Sequence, residues 1–115
     1  MKKILTVLVI ATMLVGVHSS FAVGQYPETI NVTLTAADTE YSQDLQGVKK
    51  FTAQCRTAYA VRFAYVTGKV ATPTAPYMTL KAGAVLWEDD VSISGKTIYF
   101  ASAQAGTVVE LLLYR

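Results

Sequence analysis

Thr29-Ile30-Asn31-Val32-Thr33-Leu34-Thr35 alternates without a break. Ile30, Val32 and Leu34 fall on one side of an extended chain, and Thr29, Asn31, Thr33 and Thr35 on the other. That period of two marks a half-buried β-strand. Pro27, just upstream, lacks an amide hydrogen and argues against regular pairing at its own position. Downstream, Ala36-Ala37-Asp38 supplies a turn, and Tyr41, Gln43 and Leu45 alternate more weakly. Lys49 to Arg56 repeats the scheme, with Phe51, Ala53 and Cys55 inward and Lys50, Thr52, Gln54 and Arg56 outward. Tyr59 to Val66 does so again, with Tyr59, Val61, Phe63 and Tyr65 inward and Arg62 on the solvated row. A hairpin between these two stretches brings Arg56 and Arg62 close together.

Thr67 to Pro76 contains a glycine, two prolines and three threonines, and is the most loop-like part of the chain. Contacts with other molecules concentrate in such segments. Four further short strands follow at Tyr77–Lys81, Val85–Asp89, Lys96–Ala101 and Thr107–Tyr114, with Gly83, Gly95 and Gly106 between them. Leu111-Leu112-Leu113, preceded by β-branched residues, reads as a closing strand buried on both faces. No segment after residue 22 carries a helical period. The spacing predicts an all-β fold: a single small antiparallel β-sandwich, jelly-roll-like or Ig-like, of about 7–8 short strands.

The first 22 residues read differently. Met1-Lys2-Lys3 is a positive start, Ile4 to Val17 is uncharged and apolar, and Ser20-Phe21-Ala22 places small residues before a cleavage point. The division expected is a signal peptide at 1–22 and a β-sandwich domain at 23–115, exported to a periplasmic or extracellular location. No membrane attachment is expected after cleavage. Loss of Lys2 and Lys3 leaves eight basic against eight acidic residues, so the formal charge of +2 is no footprint of nucleic-acid binding.

Cleavage also removes the only histidine, His18. A Ser-His-Asp triad, a Cys-His dyad and a His-ligated zinc site all need an imidazole, and none remains after residue 22. Cys55 is the single cysteine and has no internal disulfide partner. No enzyme, cofactor or metal site is expected. The residues singled out as a contact surface are Tyr26, Tyr77 and Trp87, aromatics near loops or strand ends, with Glu88 and Asp89 of the acidic trio Glu88-Asp89-Asp90. The plain reading of the trio is a solvated strand end facing Arg56, Arg62 or a lysine.

Several segments, in order, carry a resemblance. They are Thr33 to Ser42 (TLTAADTEYS), Lys50-Phe51 with Gln54-Cys55-Arg56, Val61 to Tyr65 (VRFAY), Ala75 to Leu80 (APYMTL), Ala82-Gly83, Trp87-Glu88-Asp89 and Ala105 to Glu110 (AGTVVE). Through them the chain resembles small β-rich accessory or decoration-like structural proteins of bacteriophage virions, here with an added export signal. The resemblance implies a non-enzymatic, virion-associated bead that packs against itself or against a shell or fibre protein. The alternative from the residues is a carbohydrate or cell-surface binding module using exposed Trp and Tyr.

Overall fold

The computed structural model of the chain describes residues 27–89 and 91–115. The signal-peptide reading of residues 1–22 and the contact role given to Tyr26 lie outside them. Eight strands form: β1 (Pro27–Leu34), β2 (Tyr41–Asp44), β3 (Lys50–Cys55), β4 (Val61–Ala64), β5 (Met78–Leu80), β6 (Val85–Glu88), β7 (Thr97–Ala101) and β8 (Thr107–Tyr114). A single 3-10 turn, Val91–Ile93, separates β6 from β7.

The strands make two four-stranded antiparallel sheets, ordered β1-β8-β3-β6 and β2-β7-β4-β5. Four of the pairs are nested about the β4–β5 connection: β4 with β5, β3 with β6, β2 with β7 and β1 with β8. Rolling that long ribbon on itself adds the β3–β8 and β4–β7 pairs, which is the jelly-roll arrangement of two Greek keys. The expected all-β sandwich is therefore present, and of its two forms the jelly roll is the one observed. Only β4 and β5 are chain neighbours within one sheet. β3 and β4 lie in different sheets, so no hairpin joins them and Arg56 and Arg62 are not cross-strand neighbours.

The alternation read from the sequence sets the register. Leu34, Phe51, Ala53, Val61, Phe63, Ile98, Phe100, Val109, Leu111 and Leu113 are buried between the sheets. In β8 the odd positions are buried and the even ones half-buried along all eight residues. Leu112 thus lies on the outer face, which corrects the expectation of burial on both sides. Pro27 opens β1 opposite Tyr114, where an edge strand tolerates a missing donor. Tyr59 and Tyr65 fall outside the four-residue β4 and are 46% and 37% exposed, so they do not continue the inward row. In the β7–β8 turn Gly106 has φ 79°, and a Cβ there meets nothing within 4 Å. The left-handed backbone alone asks for glycine.

The Thr67–Pro76 segment is irregular, as expected, but it does not simply project into solvent. Val70 is fully buried against Ala64 and Ala101 on the outer side of the second sheet, with Tyr99 packed beside them. Arg62, only 15% exposed, holds this cover in place. Its Nε donates to the Val70 carbonyl at 2.7 Å, and its Nη2 donates to Asp38 Oδ1 at 2.6 Å and to the Ala71 carbonyl at 3.3 Å. Glu40 fastens the start of the loop, accepting from Thr67 Oγ1 at 2.6 Å and from the Gly68 amide at 2.8 Å. Arg62 is on the outer row, but that row is covered by chain.

Val61→Asp, which buries an unpaired charge, is expected to abolish cooperative thermal unfolding. Arg62→Ala is expected to cost about 1–3 kcal/mol by leaving two loop carbonyls without their donor. Urea denaturation of both variants checks this, and a neutral Arg62→Ala counts against the loop clamp.

Candidate functional site

The outer face of the β1-β8-β3-β6 sheet carries no chain over it among the described residues. The register places its side chains in rows. Thr29, Leu112, Thr52 and Trp87 lie side by side across the four strands, and Asn31, Glu110, Gln54 and Val85 form the next row. All of these except Trp87 line a shallow depression of about 420 Å³, with Arg56 at one end. A second hollow of about 180 Å³ runs between Lys50, Thr52, Trp87 and Tyr114. Thr52 lines both, so the two hollows adjoin and together mark a track across the sheet.

Trp87 is 70% exposed on the edge strand β6 and Val85 is 58% exposed. Across the track, the Lys50 ammonium sits 4.4 Å from the centre of the Tyr114 ring, a cation–π contact. In the middle, Gln54 Nε2 donates to Glu110 Oε2 at 2.8 Å and Arg56 Nε donates to Glu110 Oε1. Those two donors, Gln54 first, hold the Glu110 carboxyl below the usual carboxylate range. Arg56 and Glu110 also cancel each other's charge, so the centre of the face is neutral and rich in hydroxyl and amide groups.

The sequence-predicted contact residues do not share one surface. Trp87 is on this face, whereas Tyr77 lies beside β5 at the edge of the other sheet. Glu88, one residue after Trp87, points the opposite way into a hollow of about 300 Å³ lined by Tyr65, Val66, Ser92, Ile93 and Lys96. Asp89 follows the strand and is exposed. The arginines proposed to face the acidic trio pair elsewhere, Arg56 with Glu110 and Arg62 with Asp38. Tyr65 is pushed up to about 12, first by partial burial and then by the Glu88 charge. Cys55 is half-buried, with its Sγ 3.1 Å from Thr57 Oγ1.

Sequence reading missed Asn31, Gln54 and Glu110 as a group. Each was placed on an outer row or left without comment, and only cross-strand register puts them in line. No cluster of three or more His, Cys, Asp or Glu residues fit to hold a metal ion occurs among the described residues. Comparison with protein-family models, curated proteins and solved structures finds no match for the chain.

The native Glu110 carboxyl holds its proton less tightly than the unfolded one. Its stabilising contribution is therefore present at neutral pH and lost as the pH falls below the ordinary carboxylate range through the lowered native-state value. Thermal melts of wild type and Glu110→Gln are expected to differ at pH 7 and to converge in acid. At the other end, a tyrosinate absorbance titration is expected to show one late phenol near pH 12 that disappears in Tyr65→Phe. Stability tied to that phenol is lost as the pH rises from about 10 through the native value.

Proposed function

We propose that this protein is a non-enzymatic, exported binding module that docks through the open outer face of the β1-β8-β3-β6 sheet. One observation carries the reading: part of the outer side of the other sheet is covered by the chain's own Val70 loop, while this one has no such cover and Trp87 is 70% exposed at its edge. An exposed tryptophan beside a polar row is a recurrent feature of contact surfaces. The absence of histidine after residue 22 supports a role without catalysis, and the signal-like residues 1–22 support export.

A virion structural role, as the phage resemblance implies, is the second reading. The jelly-roll order favours it, because capsid proteins use that architecture. Lectins use it too, so the fold alone does not separate the two, and the open face becomes the discriminating feature.

A photoreactive benzoyl-phenylalanine in place of Trp87 is expected to form discrete adducts when the protein is irradiated in its native host. The same group at Thr79, exposed on the other sheet, is expected to form none. Equal yields at both positions, or none at 87, would sink the assignment of this face.

A further inference from the structure

We infer that the ligand of this face is a neutral oligosaccharide laid along the track between Trp87 and the Gln54–Glu110–Asn31 row, an inference that rests on the docking face proposed above. Three observations lead to it: extent, charge and the type of polar group.

The face is small. Four strands about 4.8 Å apart and some six residues of usable length give on the order of 300 Å² in projection. A stable protein interface of standard size needs about 800 Å² from each partner. Side-chain relief makes the accessible area larger than this projection, yet face-to-face packing of two copies, or of a shell protein, still needs contact beyond the sheet. The depression of about 420 Å³ instead lies within the usual range for a small-ligand site.

The centre of the face carries no net charge, and one still-charged ammonium, Lys50, stands at its end. Arg56 is bound to Glu110, and the Lys50 ammonium rests over the Tyr114 ring. A phosphate or nucleic-acid ligand needs unpaired cations on one surface. What remains is a set of groups that both donate and accept: the amides of Gln54 and Asn31 and the hydroxyls of Thr29 and Thr52.

A sugar ring is amphipathic in the matching sense. Its C–H face is apolar and slightly positive and packs on the negative face of an indole, while hydroxyls at its rim both donate and accept. Trp87 stands at one side of the track, and cross-strand register puts Thr52 directly opposite it and Gln54 one diagonal away. A ring stacked on Trp87 thus brings its rim hydroxyls to Thr52 and Gln54, and the next ring meets Glu110 and Asn31. Glu110 serves as an acceptor because Gln54 and Arg56 keep it ionised and fixed in direction. It binds hydroxyls, and no bond is broken.

Trp87 is the only tryptophan in the chain, so its emission reports this site alone. The purified protein is titrated with β-linked hexaoses of glucose, mannose and N-acetylglucosamine at millimolar concentration. A saturable change in Trp87 emission with at least one of them is expected, little affected by added salt and weakened tenfold or more in Gln54→Ala and Thr52→Arg. Gln54→Ala truncates an exposed side chain and frees Glu110 from one donor without touching the core, so it keeps the test valid if Thr52→Arg folds poorly. No change with any hexaose overturns the inference, as does a change that persists in Gln54→Ala. If the hexaoses fail while crosslinks still form at position 87, the docking face stands and the sugar falls. If both fail, both readings fall.

Discussion

The last strand of the chain holds the first sheet together. β8 is paired on one side with β1 through eight residues and on the other with β3 through six. Its odd-numbered side chains, Val109, Leu111 and Leu113, are buried in the core, and its even-numbered ones, Glu110 and Leu112, form the middle of the open face. One strand therefore fixes both the packing and the functional surface. Because β1 and β8 are the first and last strands of the described residues, this sheet forms only when non-local pairing is complete, the slow kind of folding. Register is pinned by the same alternation, since a slip of one residue would turn Glu110 into the core and Leu111 out to water.

The two sheets share a core but have opposite relations to solvent. In the β2-β7-β4-β5 sheet, small residues at Ala64 and Ala101 leave room for Val70, and the buried Arg62 guanidinium satisfies loop carbonyls that would otherwise lie unpaired. In the β1-β8-β3-β6 sheet the outer rows mix polar groups with Leu112, Val85 and Trp87 and carry no such cover. Glu110 needs no burial to be ordered, because Gln54 on β3 and Arg56 just beyond its end fix its direction.

Much of this was legible in the residues. Strict alternation in Thr29–Thr35 and Lys49–Arg56 gave strands close to the observed bounds, because a two-residue period with one polar side has a single comfortable solution at an interface, whereas the apolar run of Thr107–Tyr114 gave a strand but not its outer side. What alternation lacks is pairing. Nothing local says that β3 joins β6 and β8 and not β4, so the expected hairpin between Arg56 and Arg62 was wrong. Tyr59 and Tyr65 misled for a related reason: the pattern continues beyond the point at which the strand stops bonding. The open face was half visible, in Trp87 but not in Gln54 or Glu110, since three residues from three strands become neighbours only through register. Tyr77 and Glu88 seemed to belong with Trp87 by proximity in sequence, yet one lies on another sheet and the other points to the opposite side of its strand.

The meeting of Pro27 with Tyr114 has a topological consequence. Arg115 reaches back from the end of β8 to donate to Glu28 at 2.8 Å and to the Gln46 carbonyl, so both ends of the folded unit sit at one corner. A short peptide bridge between residues 27 and 115 would turn the unit into a ring without disturbing a single ladder bond. In the chain-entropy model, cyclising a loop of nearly ninety residues removes on the order of 4–5 kcal/mol of freedom from the unfolded state. Such a ring would have no loose end at which to begin fraying, and the corner where it now opens would be as firm as any other turn.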